Sequence, residues 1–285
     1  MSRAQVDALR AMLAGRPAGL SLDERRAGFE RQAAMVPLPD DFAEEVVEVG
    51  GVPARWVWVD GCDVGKALVW LHGGAFTLGS SASYRAFGAR LARVSGARVL
   101  IPDYRLVPEH PFPAALHDCV AVLGALDCQV AVGGDSCGGN LALAAVQARI
   151  AAGHALPAAL WLVSPYLDLT HAGASIGARA ARDPFIDTAY MPATAAAYHG
   201  AADPADPRVS PLFGRMADLP PLLVQVGSDE VLYDDARRLA DAVPGAVFQE
   251  WIGMIHVWPY FAHLVDEGGW AIAQGGDFVR QMLQA

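Results

Sequence analysis

A chain of 285 residues is long enough to bury one large core, as a single domain or as a core with a smaller lid. With 53% hydrophobic and 18% charged residues it is not a disordered chain, and a formal net charge of −10 argues against nucleic acid and anionic membranes as partners. Its four cysteines, Cys62, Cys119, Cys128 and Cys137, form no C-x-x-C pair and no zinc spacing, so buried free thiols are expected rather than a metal site or a disulfide framework.

The opening stretch carries Arg3 and Arg10 but no apolar run long enough for a signal peptide, and no later stretch reads as a membrane span, which points to the cytoplasm. Val6, Leu9, Met12 and Leu13 recur at helical spacing, and a second polar helix ends near Pro37 and Pro39, so residues 1–45 read as an appended helical arm. From Val46 to Val59 two alternating apolar runs flank Gly50-Gly51, the pattern of an antiparallel hairpin. Short apolar runs follow at Ala67–Leu71, Val99–Ile101, Val130–Val132, Leu160–Val163, Leu222–Val226 and Val247–Trp251, mostly separated by helical stretches. Alternation of this kind predicts an α/β fold with a mostly parallel central sheet and helices on both faces. The stretch from Tyr166 to Met216 contains no convincing strand and reads as a cap insertion, packed with the arm over the site. The expected division is therefore arm 1–45, core 46–165, cap 166–216 and core 217–285.

Parallel strands place ligands at their carboxyl ends, and the chemistry-bearing residues fall there. Gly134-Asp-Ser136-Cys-Gly138 fits G-x-S-x-G between an apolar strand and a helix, where small residues let the chain turn sharply and present the serine hydroxyl. Read as mere structure, Ser136 would only cap the helix. A serine is a poor nucleophile alone and needs a base and a stabilised oxyanion. The strand before His72-Gly73-Gly74-Ala75-Phe76 runs into a glycine-rich loop whose amides suit an oxyanion hole: Gly74 and Ala75 with the amide of Cys137, and Gly73 as the alternate. His72 is expected to anchor that loop. Asp229 stands at a strand end that would place it beside the serine, or else it caps the following helix, while Asp234 and Asp235 are expected to face solvent. His256 follows the last strand, and His263, the nearest competitor, is expected in the closing helix. The order Ser136, Asp229, His256 is that of α/β-hydrolases.

These residues resemble the bacterial hormone-sensitive-lipase-like esterases, also called family IV lipolytic enzymes. The resemblance rests on His72-Gly-Gly-Ala, the tract Pro102–Ala114, Gly134-Asp-Ser-Cys-Gly-Gly139, Asp206–Leu212, Gly227-Ser-Asp-Glu230 and Gly253-Met-Ile-His256. It implies an α/β-hydrolase core with a helical cap, a Ser136–His256–Asp229 triad, and hydrolysis of short- to medium-chain acyl esters without cofactor. The tract 102–114 is read as structural, Glu109 included. Two departures stand out: Ala75 replaces the usual third glycine and Cys137 the usual alanine, and both are expected to tighten the acyl pocket. Phe76, Tyr166, Met191, Phe213 and Trp258 are the candidate pocket residues. The partner expected is a small ester, with no metal, and a homodimer is compatible with the sequence. A lactone hydrolase using the same triad, and a ligand-binding protein on the same fold, are the alternatives; retention of His256 weighs against the latter.

Overall fold

The computed structural model describes residues 3–17 and 19–284; residues 1, 2 and 18 of the expected arm lie outside the described residues. In chain order it contains α1 (Arg3–Ala14), α2 (Leu22–Ala34), β1 (Ala43–Val49), β2 (Val52–Trp58), β3 (Asp63–Leu71), α3 (Arg85–Ser95), β4 (Ala97–Pro102) and α4 (Ala114–Gly124). There follow β5 (Gln129–Asp135), α5 (Cys137–Ala151), β6 (Leu160–Val163), α6 (Ser175–Arg179), α7 (Met191–His199), β7 (Leu222–Gly227), α8 (Tyr233–Ala242), β8 (Val247–Trp251) and α9 (Asp266–Met282). The strands form one sheet in the order β1-β2-β4-β3-β5-β6-β7-β8. The β1–β2 and β2–β4 pairs are antiparallel and the others parallel, so the sheet is mostly parallel, as the alternation predicts, in the α/β-hydrolase architecture that the resemblance implies.

The hairpin turns at Gly50 and Gly51, with φ of 61° and 78°, which suits a two-residue turn with both central residues left-handed. The central strands are apolar without interruption because both faces are covered. In β3, Val69 and Leu71 pack with Leu116, Leu141 and Leu143 of α4 and α5. Leu68 and Trp70 face the other way, with Phe87 and Leu91 of α3 and Ile272 and Val279 of α9. The period-two alternation of β3 thus feeds two separate cores.

A third cluster joins arm and core: Val6, Leu9 and Leu13 of α1 pack on Met254, Ile255, Trp258, Phe261 and Val265. The helix α2 starts with a capping box between Ser21 and Glu24. Its Arg26 donates to Thr77 and Val107 carbonyls and pairs with Glu109 at 2.6 Å, which is the structural use expected of Glu109. Between β6 and β7 the chain forms α6, α7 and a 3-10 turn at Pro211–Phe213, with no strand among the described residues. Arg16 of the arm donates to the Pro184 and Phe185 carbonyls, so the arm and the segment between β6 and β7 touch. No helix among the described residues is long and apolar enough to cross a membrane.

On α9, Gly275 lies against the buried indole of Trp161, which is held by an edge contact to Trp70 and a 2.9 Å hydrogen bond to Gln225. Gly275→Ala should therefore destabilise the fold by about 1–3 kcal/mol through overpacking. Gly269→Ala, on the same helix but with open space around it, should stabilise by about 0.5–1 kcal/mol. Urea unfolding of the two variants beside the parent measures both signs.

Candidate active site

Ser136 sits between β5 and α5 with φ 54° and ψ −122°, a strained conformation for a residue with a side chain. The turn is possible because Gly134 and Gly138 pack against backbone: a Cβ on Gly138 would overlap the Leu71 carbonyl, and one on Gly134 would crowd Gly138. The hydroxyl makes no helix-capping bond. It lies 3.0 Å from Nε2 of His256, which rules out the cap-only reading of this serine. His256, in the loop after β8, is 1% exposed.

The other ring nitrogen, Nδ1, is 3.1 Å from Oε2 of Glu230. This corrects the expectation placed on Asp229. The chain leaves β7 at Gly227, and Ser228 and Asp229 still bond the β8 side, through the Trp251 and Met254 carbonyls. Asp229 therefore projects outward, 20% exposed, to Arg10 at 2.6 Å and Arg182 at 3.7 Å. The next residue turns inward, and Glu230 is fully buried. Its Oε1 accepts hydrogen bonds from the Gly227 amide and from Ser164 Oγ, the latter at 2.7 Å. Ser164 in turn accepts the Val257 amide at 3.0 Å, so the loops after β6, β7 and β8 share one network.

Burial dominates the electrostatics. It pulls the His256 imidazole down to about 4, opposed by the charges of Asp183 and Asp135. It pushes the Glu230 carboxyl up to about 8, opposed by its Gly227 and Ser164 donors and by Arg179.

The loop after β3 is fastened from below. Asp135, beside the serine, accepts from Trp70 Nε1 at 2.9 Å and Tyr84 Oη at 2.7 Å, and burial raises its carboxyl to about 6. Tyr84 Oη accepts the Gly73 amide at 3.0 Å, so Gly73 is spoken for and its expected alternate role as an oxyanion donor falls away. Gly74, Ala75 and Phe76 all have positive φ, 126°, 52° and 61°, which turns successive amides to one side. The amides of Gly74 and Cys137 have no hydrogen bond assigned among the described residues. The Phe76 amide donates to Cys137 Sγ at 3.1 Å. The thiol thus lies on the core side of the loop, near Tyr104, and its pKa is pushed up to about 12 by burial, so its bulk props the loop. His72 is fully buried, bonds the Gly73 carbonyl and stacks on Tyr104; burial holds it at about 4, and it anchors the loop as expected.

Of the pocket candidates, Phe76 is buried and stacked on Tyr198 at 3.7 Å, with Tyr166 at 6.4 Å. Tyr166 also donates its amide to the Ser136 carbonyl, and Met191 is buried in the same cluster. Two others lie apart. Phe213 is 40% exposed with Arg238 of α8 over its ring, and Trp258 is fully buried under α9, bonded to the Glu267 carbonyl. His263 lies in the turn ahead of α9 rather than in that helix. Nor do both later aspartates face solvent: Asp235 is 2% exposed and accepts the Leu167 and Asp168 amides, and Asp234 accepts the Ser175 amide. The sequence reading missed Glu230, Ser164 and Phe185, whose ring lies 5.6 Å from that of His256. Only the Asp-Glu doublet at the strand end signalled the first of these.

Residues 68–260 match the α/β-hydrolase fold family. The chain is 44% identical over 246 residues to an acetyl-hydrolase of Streptomyces hygroscopicus, covering 83% of this chain and 82% of that one. It is 36% identical over 223 residues to an esterase of Acinetobacter venetianus strain RAG-1, covering 74% of each. A crystal structure of an esterase from the bacterial hormone-sensitive lipase family superposes with a TM-score of 0.94 at 38% identity, over 98% of both chains.

Cys137 adjoins the serine but is fully buried with a raised pKa, as is Cys119, whereas Cys62 and Cys128 are half-buried. A thiol reagent at neutral pH should modify only Cys62 and Cys128 of the native protein and leave ester hydrolysis intact. Peptide mapping after labelling checks this; inactivation that tracked labelling of Cys137 would contradict it.

Proposed function

Because the chain belongs to the bacterial hormone-sensitive-lipase-like esterases of the α/β-hydrolase fold, and is a serine carboxyl-ester hydrolase, we propose that it works through a Ser136–His256–Glu230 triad. The supporting observation is the continuous contact from Ser136 Oγ to His256 Nε2 at 3.0 Å and from His256 Nδ1 to Glu230 Oε2 at 3.1 Å. Ser136 attacks the ester carbonyl while His256 takes its proton, and Glu230 orients the ring and stabilises the imidazolium. The imidazolium returns the proton to the departing alcohol, leaving an acyl-enzyme. Water, deprotonated by His256, then releases the acid and restores Ser136. The amides of Gly74, Ala75 and Cys137 hold the oxyanion.

The substrates are short- to medium-chain acyl esters. The acetyl-hydrolase identity of a relative at 44% identity supports the short end of that range, and so do the stacked Phe76 and Tyr198 rings beside the loop. Across p-nitrophenyl acetate, butyrate and laurate, kcat/KM should fall steeply at laurate; a maximum there would overturn the preference.

Ser136→Ala should lower kcat by roughly 10⁴-fold or more, and Glu230→Gln by roughly 10³- to 10⁴-fold, because the imidazole loses the partner that fixes its tautomer. Asp229→Asn should cost less than about tenfold, since its carboxylate faces Arg10 and Arg182. Steady-state kinetics on the three variants decides between Asp229 and Glu230.

The productive state pairs a neutral imidazole with a carboxylate. His256, lowered to about 4, is neutral above that pH, while Glu230, raised to about 8, becomes fully ionised only above it. Hence kcat/KM should rise between pH 4 and 8 and level off above, as the pair loses its proton. Glu230→Gln should remove the upper part of that rise.

A further inference from the structure

We propose that Asp183, contributed by the segment between α6 and α7, is a positioning residue for His256, its carboxylate tying the histidine loop to the Glu230 loop and facing the site where the imidazolium forms. The inference rests on the triad reading given above.

Asp183 is 1% exposed. Its Oδ2 accepts the Val231 amide at 3.2 Å, one residue beyond Glu230. Its Oδ1 accepts the Phe185 amide at 3.2 Å and stands 3.5 Å from the backbone nitrogen of His256. One side chain therefore spans both triad loops and fixes Phe185, whose ring lies against the imidazole at 5.6 Å. A segment outside the sheet thus bonds the loops that follow two of its strands.

The carboxylate has a second consequence. No Lys, Arg or His side chain pairs directly with Asp183 within 4.0 Å among the described residues, and Arg16 attracts it only from beyond that distance. A buried anion without a directly paired cation is costly, and the cost falls when positive charge develops nearby. Such charge appears on His256 when it takes the serine proton. The other charged groups around the ring fit this assignment. Glu230 holds Nδ1, and Asp135 is engaged by Trp70 and Tyr84. Arg16 of the arm is turned to the Pro184 and Phe185 carbonyls, and Arg179 to the Ser228 carbonyl. Arg10 and Arg182 pair with Asp229. Asp183 accordingly favours the charged form of His256, and burial raises its own pKa while the imidazole opposes that rise.

The test is steady-state hydrolysis of p-nitrophenyl acetate from acid to neutral pH by Asp183→Asn and Asp183→Ser, beside the parent, Ser136→Ala and Glu230→Gln. Both Asp183 variants remove the charge and retain an acceptor for one amide. Their kcat should fall roughly tenfold with KM nearly unchanged, and the acid limb of kcat/KM should move to lower pH by roughly one unit, because the imidazole loses an anion that favours its protonation. A residue that only stabilised the fold would lower the unfolding midpoint and leave that limb in place; this result overturns the proposal. Failure of both variants to fold, seen by circular dichroism and gel filtration, likewise assigns Asp183 to stability alone and overturns it. Parent-like Asp183 variants beside inactive Ser136→Ala and Glu230→Gln would sink this inference and leave the triad standing. An active Ser136→Ala would sink the triad itself.

Discussion

A neutral imidazole held between a hydroxyl and a carboxylate has to be kept dry, aligned and in one tautomer, and the architecture around His256 serves that requirement. Its Nδ1 meets Glu230 at 3.1 Å, and Glu230 can be buried because the Gly227 amide and the Ser164 hydroxyl converge on its other oxygen. A buried carboxyl without such donors would be too costly to hold in place. Ser164 reaches Glu230 because the loop after β6 ends beside those after β7 and β8, and the adjacent parallel strands set that spacing. The strained backbone at Ser136 is likewise held by neighbours, with Gly138 against the Leu71 carbonyl and the serine carbonyl accepting the Tyr166 amide.

Segments outside the sheet also hold these loops. Arm helix α1 lays Val6, Leu9 and Leu13 on the turn that follows His256. Its Arg10 reaches Asp229 and the Gly253 carbonyl, next to Glu230 and ahead of His256. Helix α2 secures the other side of the site through Arg26, which donates to the Thr77 carbonyl in the glycine-rich loop. The arm and the segment between β6 and β7 are joined to each other through Arg16. In this way segments outside the sheet bear on how His256 is placed beside the serine.

The hairpin, the eight strands and the nucleophile elbow were all legible because each has a local cause: alternation, a Gly-Gly turn, or small residues around a serine. The assignment of Ser136 and His256 to one site was legible for the same reason, since both follow strands of a parallel sheet and such ends gather at one edge. The carboxylate that meets the imidazole was legible only to within one residue. Asp229 and Glu230 are adjacent carboxylates after the same strand, and nothing local tells which one faces inward. Asp229 remains hydrogen-bonded along β8 and points to arginines, while Glu230 starts the turn into the interior. The solvent-facing position expected for Asp235 failed for a related reason: its partners, the Leu167 and Asp168 amides, come from a loop nearly seventy positions away.

By itself, then, the sequence determined the fold class, the serine, the histidine and the glycine-rich loop, because local backbone chemistry and strand order suffice for these. Tertiary structure alone decided that Glu230 rather than Asp229 meets the imidazole, that Gly73 is taken by Tyr84, and that Asp183 and Phe185 of the inserted segment reach His256. The physical reason is common to all of these: each depends on which way a side chain or amide turns toward partners far away in the chain, and that direction is fixed only when the loops pack together.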